Sequence, residues 1–318
     1  MQSDSVLATM CVAWLFAFAA SAAGTLREAR AVLVDLGFTR DEIARVEAGE
    51  LVRGNPTASS PRELVASFAF RIDAAPASVV DLIRTHLLAD VDPTLQATGE
   101  IHGEGKLEDF AGATLGPDAA ENLSPDERAA FAKRSDPGDA ARQMRQTLLA
   151  RVQAYRAKGL AGIAPYARDG EVLSPGAELR SMSEAAQKLS PYAPLAAALL
   201  LDYPGDKPPD LEETFRWREF EERGVPTLHL EHAFLVADGE VRTAVERQFY
   251  VSAGYNAAQA VTAFVPTDAG TLVVYVYRTS TDQVAGIGSG IKRSLGNRLL
   301  ASQLQRTLEK MRTEMQKR

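Results

Sequence analysis

The last third of the chain, from Leu211 to Arg318, limits the fold more than any other stretch. Five runs there alternate apolar and polar residues: Thr214–Glu221, Pro226–Val236, Val241–Ser252, Ala257–Val265 and Thr271–Thr279. Alternation with period two marks a half-buried strand. Asp238-Gly239 is a two-residue hairpin signal that tolerates positive φ, and Thr267-Asp268-Ala269-Gly270 makes a further turn. After Asp282 the period changes. Val284, Ile287, Ile291, Leu295, Leu299, Leu304, Leu308, Met311 and Met315 recur at three, four or five residues, which predicts one apolar stripe on a helix from about Gln283 to Lys317. At 1.5 Å per residue that helix is roughly 50 Å long. The expected architecture is α+β, an antiparallel β-sheet gripped by a long C-terminal helix laid across one face.

Upstream, Leu26 to Leu36 has helical spacing and ends at Gly37, while Thr39 to Glu42 is a capping box opening a short helix that Gly49 closes. With the breaker-rich stretch from Gly54 to Pro61, residues 24–60 read as an N-terminal helical hairpin and linker appended to a main domain at 61–318. Val65 to Asp73 alternates, with Ala66, Phe68, Phe70 and Ile72 on one face. Ala75-Pro76 then opens a helix whose apolar face is Val79, Val80, Ile83 and Leu87. Leu95–His102 reads as a strand and Phe110–Leu115 as a short one. The block from about 118 to 204 is a helical insertion. Ser124-Pro125-Asp126-Glu127 is a helix start, Asp139–Lys158 aligns Met144, Leu148, Val152 and Tyr155, and Ser183–Leu189 and Tyr192–Leu201 are shorter helices.

Residues 1–23 read as a signal peptide for export to the periplasm or the cell exterior. Val6 to Ala20 is an uncharged run of 15, short for a membrane span, and small residues follow at Ala20-Ser21-Ala22. Asp4 stands where such leaders carry a basic residue, so an uncleaved anchor is the alternative. The only cysteine, Cys11, lies inside this leader, which leaves neither a thiol nucleophile nor a Cys-ligated metal after cleavage. A net charge of −7 argues against generic nucleic-acid binding. Lys292 to Arg318 holds eight Lys or Arg and two Glu, a net of +6 that leaves −13 for the remainder. The plain reading is a solvated basic helix face complementing an acidic body, and the other is peripheral contact with a membrane surface.

A strand running into Ala-Pro and a helix (Ser67 to Ile83), a late meander and a long terminal helix together resemble the helix-grip fold. This is the fold of the START and polyketide-cyclase-like (SRPBCC) superfamily. The stretches Arg247-Gln248-Phe249-Tyr250-Val251-Ser252 and Arg278-Thr279-Ser280-Thr281-Asp282-Gln283-Val284-Ala285-Gly286 are similar to those of an uncharacterised family of exported bacterial proteins. The helix-grip resemblance implies a cavity between curved sheet and C-terminal helix that holds an apolar or amphipathic small molecule such as a lipid. The N-terminal hairpin and the helical insertion are departures from that pattern.

Among candidate site residues, His229-Leu230-Glu231-His232 invites a metal reading, but a strand sends positions 229 and 232 to opposite faces, so no metal is expected. Glu219, His232, Arg247 and Arg278 each fall among apolar neighbours on the apparent inner face. Buried charges need partners, so these residues pair with one another, line a wet cavity or anchor a ligand's acidic head. A single bulge would turn the other face inward and bring Tyr250, Gln259, Tyr275 and Tyr277 with it. Gly286-Ile287-Gly288-Ser289-Gly290 matches neither a dinucleotide nor a Walker loop, and no cofactor is expected. Its glycines, Gly288 among them, suggest an irregular first helical turn at the mouth of a cavity. The leading expectation is an exported carrier with Arg247 or Arg278 at the head group and Glu219, His232, Tyr250, Tyr275 and Gly288 along the ligand. The alternatives are a hydrolase or cyclase using His232 with Glu219, and an envelope protein docking through its basic helix.

Overall fold

The computed structural model describes residues 29–86, 94–114, 120–133, 136–168, 170–222, 225–286 and 288–316. The signal-peptide reading of residues 1–23 lies outside them. In chain order the elements are α1 (29–35), α2 (Arg40–Glu47), β1 (Val52–Arg53), β2 (Glu63–Ile72), α3 (Pro76–His86) and β3 (Leu95–Ile101). The helical block follows: α4 (Pro125–Ala132), α5 (Pro137–Lys158), the ribbon β4 (Tyr166–Arg168) and β5 (Glu171–Leu173), α6 (Pro175–Ala185) and α7 (Pro194–Asp202). The chain ends with β6 (Glu212–Glu222), β7 (Val225–Asp238), β8 (Val241–Val251), β9 (Ala257–Thr267), β10 (Gly270–Ser280) and α8 (Ser289–Gln316).

The meander forms as its alternation demands, and the sheet has eight strands in the order β1-β2-β10-β9-β8-β7-β6-β3. Every pairing is antiparallel. The early strands β2 and β3 flank the meander on opposite sides, and α8 packs on the sheet through β2. The fold is therefore α+β and helix-grip-like. Phe110 ends a short 3-10 turn, Leu107–Phe110, where a strand was expected, because Lys106 and Asp109 close it through their backbone and carboxylate. Leu115 lies outside the described residues.

Each sheet face has its own helices. On the first, α6 lies on β8 and β9, α7 on β7, and α2 on β2. The stripe Met144, Leu148, Val152 and Tyr155 of α5 is buried in the same core. Val32, Leu33, Phe38, Ile43 and Val46 of the N-terminal hairpin belong to that core too, so the hairpin packs on the main body. On the second face α3 crosses β8 to β10, and α8 runs along β2. Phe68, Phe70, Phe264 and Val273 meet Val79, Val80, Ala301 and Leu308 there. Full burial of side chains this size contributes about 1.5–3 kcal/mol each.

The terminal stripe is not one face. Ala301 and Leu308 are buried and Leu300, Leu304 and Met311 half-buried, but Ile291, Leu295 and Leu299 are 81%, 57% and 58% exposed. The reason is the five-residue step from Leu299 to Leu304. At 3.6 residues per turn it rotates about 140° around the axis, so residues on either side of the step cannot point the same way. Gly296 and Asn297 set the docking distance: a Cβ at Gly296 would meet Leu64 at 2.8 Å, and Asn297 Oδ1 accepts from Val65 N at 2.9 Å. That bond covers part of β2 that the two-residue β1 leaves at the sheet edge.

Gly159, which ends α5 at φ 55°, sits against the strand-entry loop so closely that a Cβ would lie 1.7 Å from the Tyr203 carbonyl oxygen. Backbone cannot yield as a flexible side chain can. Gly159→Ala is expected to destabilise the fold by more than the ~1 kcal/mol of an ordinary Gly-specific site, read as a lowered urea midpoint. Retention of the parent midpoint would contradict this packing.

Candidate functional site

The cross-strand register brings three of the four charged candidates into one row on the first face. Arg278 of β10 lies opposite Gln259 of β9, Gln259 opposite Arg247 of β8, Arg247 opposite His232 of β7, and His232 opposite Phe215 of β6. Arg247 is fully buried, and its partners are neutral oxygens. Nε donates to Gln259 Oε1 (3.0 Å), Nη1 to Tyr155 Oη (3.0 Å), and Nη2 to Ser183 Oγ (3.2 Å) and the Leu200 carbonyl (2.6 Å). The helical block thus reaches down onto the strand row through α5, α6 and α7.

The network has a direction. Because the Tyr155 oxygen accepts from Arg247, its hydroxyl proton goes to His232 Nδ1 at 3.1 Å. His232 is then neutral with its proton on Nε2, which faces Glu213 Oε2 at 3.4 Å, ion-pair distance but outside hydrogen-bond geometry. Burial, together with Arg247, holds the imidazole down at about 4. His232 and Lys207 hold the Glu213 carboxyl down at about 2 against the opposing effect of burial. Phe215 stacks on His232 at 4.3 Å and Phe249 on Tyr155 at 4.3 Å. Such a chain can relay a proton in principle, but His232 and Arg247 are 0% exposed and offer no face to a substrate.

The remaining candidates lie apart. Arg278 donates to Glu63 Oε1 (2.7 Å) and the Thr57 carbonyl, making a buried pair that ties β10 to the linker. Glu219 accepts from Thr114 N (2.7 Å) and Oγ1 (2.8 Å), so the carboxylate beside His232 is Glu213 and not Glu219. At β8 the register passes from Gln248↔Glu231 to Tyr250↔Leu230, leaving Phe249 as the extra residue of a bulge. The bulge turns Tyr250 inward while Arg247 stays inward, so both alternatives of the sequence reading occur on one strand. Tyr250 carries the Arg151 guanidinium over its ring at 4.3 Å, and burial pushes its hydroxyl up. Gln259 joins Arg247 on the first face and not the second. Arg247, Arg278, His232, Glu219 and Tyr250 therefore lie on the face away from α8, and none can line a space between sheet and terminal helix. Gly288, at φ 74°, is exposed at the start of α8 and lines no such space either.

The second face is different. Its residues are reached by solvent on every strand from β10 to β6: Tyr275 and Tyr277, Thr262, Ala244, Glu246 and Gln248, Ala233 and Leu235, Thr214, Arg216 and Arg218. Adjacent rows across β9, β8 and β7 read Thr262, Ala244, Leu235 and Ala260, Glu246, Ala233. These half-buried and mostly small side chains form a solvent-reached floor between α8 over β2 and α3 across β8 to β10. We call this floor the trough. Tyr275 stands at its α8 wall, its hydroxyl pushed well up by burial, with Tyr277 and Glu246 adding to the effect.

One end of the trough is ionic. Arg216 bridges Glu231 (Nε to Oε1, 2.5 Å) and Glu246 (2.9 Å), with Arg218 3.5 Å from Glu231. Two guanidinium groups thus balance two carboxylates. Burial and the neighbouring Glu231 raise the Glu246 pKa. Beside them Tyr255 donates to Gln248 Oε1 (2.6 Å) and meets His229 Nε2 (2.9 Å). Burial, helped by Arg218, holds His229 down at about 3. Reading for inner charges missed this cluster, although alternation alone puts Arg216, Glu231 and Glu246 on the face opposite His232 and Arg247. Among the described residues no His, Cys, Asp or Glu cluster is suited to a metal. Comparison with protein-family models, curated proteins and solved structures gave no match to this chain.

Two measurements check the sealed row. Arg247→Lys keeps the charge but not the fork that serves four oxygens, so it is expected to cost several kcal/mol in urea unfolding, close to Arg247→Met. Full rescue by lysine would show that only charge matters. His232 binds its proton more weakly folded than unfolded. Its contribution is therefore complete above pH 6.5 and is lost as pH falls through about 4, on the order of 3 kcal/mol. His232→Gln should reduce the slope of stability against pH between these values, His229 supplying the part that remains, and an unchanged slope would place the titrating group elsewhere.

Proposed function

We propose that the protein binds an apolar or amphipathic small molecule in the trough between the sheet, α3 and α8, and that it works as an exported carrier. The observation behind this reading is the asymmetry of the sheet. One face is sealed by helices down to a fully buried arginine, while the other keeps a solvent-reached floor of Ala, Thr and Tyr next to a wall of Leu and Met. Apolar surface left open to water favours a ligand that covers it, by about 25 cal/mol for each Å² removed from solvent.

The polar end of such a ligand meets Arg216, Arg218 and Glu246, with Glu231 buried behind them as their partner. Because these charges already balance, the site favours a hydroxyl, ester or zwitterionic head over a bare carboxylate, whose charge would go uncompensated. Arg247 and Arg278, the sequence-based anchors, have no part in this reading. The leader at residues 1–23 is what supports the export half of the proposal.

The test is native mass spectrometry of protein recovered from the periplasmic fraction, with thermal shifts across neutral, zwitterionic and fatty-acid lipids. A co-purified lipid and larger shifts for the uncharged and zwitterionic heads are expected. Thr262→Trp and Ala233→Trp, each filling the trough from half-buried positions, should weaken binding at least about tenfold with the fold intact. Consistently empty protein with no shift, or blocked variants that bind like the parent, would remove the carrier reading.

A further inference from the structure

We infer that α8 is also a docking surface for an anionic lipid bilayer, through the face it turns away from the sheet. Ile291, Leu295 and Leu299 stand one turn apart on that face. They are half of the six large hydrophobic side chains exposed among the described residues, and the other three, Val34, Val172 and Leu195, lie on separate elements. The outward row continues as Arg306 and Lys310, and Lys292 and Arg298 flank its apolar half. All four basic residues are exposed. Two other arginines of the helix are turned back onto the body: Arg293 donates to the Pro61 carbonyl (3.4 Å) and Arg312 to the Gly49 carbonyl (2.7 Å). Glu309, which accepts from Gln305 at 2.9 Å, is the acidic residue beside the row.

This composition selects the occupant. Apolar residues one turn apart with Lys and Arg beside them suit a helix lying in the headgroup plane, its apolar side a few ångströms deep and its basic groups on phosphates. A second copy of the chain fits poorly, since pairing the face with itself brings Lys292, Arg298, Arg306 and Lys310 against their equivalents. The charge distribution also orients the molecule. The segment from Lys292 to Arg318 carries +6 and the remainder −13, so an anionic surface attracts the helix and repels the body. Among the described residues no helix is long and apolar enough to cross a membrane, so contact through α8 is peripheral. Docked in this way, the helix that walls the trough is also the element at the bilayer.

The experiment is cosedimentation of the full chain with phosphatidylcholine vesicles, with and without phosphatidylglycerol. Val6–Ala20 is common to every variant, so differences between variants are what count. Binding should favour the phosphatidylglycerol vesicles and fall with added salt. It should drop about fivefold for each of Lys292→Gln and Arg298→Gln. Leu295→Ser with Leu299→Ser should remove the phosphatidylglycerol-dependent part of binding without lowering Tm, both positions being exposed. Thr262→Trp should bind vesicles like the parent, which separates docking from uptake of lipid into the trough. The proposal is overturned by equal binding to neutral vesicles, by α8 variants that bind like the parent, or by loss of vesicle binding in Thr262→Trp. It is overturned as well if sedimentation velocity shows a dimer that Leu295→Ser dissociates, for then a second copy covers this face.

Discussion

A strand commits alternate residues to opposite faces, and an eight-stranded antiparallel sheet must answer for both. That constraint runs through the whole molecule. The first face is closed by α5, α6, α7 and the N-terminal hairpin, and the second is covered at one side by α8 and at one end by α3.

The sealed face shows how a charge survives in a core. Arg247 is wholly buried, and its hydrogen bonds go to an amide, two hydroxyls and a backbone carbonyl drawn from three helices and a neighbouring strand. A guanidinium satisfied in this way makes the helical block and the sheet mutually dependent, because removing any one partner leaves a buried donor or acceptor unpaired. Directionality then passes through Tyr155 to a neutral His232 and on to Glu213. The result resembles a catalytic relay in composition, yet its geometry is that of a clamp.

On the open face the same chemistry has a different setting. Arg216, Arg218, Glu231 and Glu246 also balance, but at a surface where Glu246 keeps about a third of its side chain exposed. The floor beside them is built of small residues. A long helix with one side on the sheet and an apolar, basic other side borders this trough. The proposed binding and the proposed docking thereby meet on a single element.

Much of the fold was legible in the chain. The five alternating runs, the turns at Asp238-Gly239 and before Gly270, the capping boxes at Thr39 and Ser124, and the α5 stripe are local patterns, and each formed where its chemistry placed it. The alignment of His232, Arg247 and Arg278 on one face was readable too, since period two requires only that the strands exist. The broken stripe of α8 stood in the spacing as well, in the five-residue step after Leu299.

What tertiary structure alone decided was which cover each face received, and so which charges met. Alternation separates Arg247 from Glu246 but does not say that α8 goes to the side of Glu246, because that depends on packing between residues more than two hundred positions apart. Nor does it say that Glu213 and not Glu219 sits beside His232, which is a matter of hairpin register and helix docking. Local period sets the faces; long-range burial chooses which one is left open.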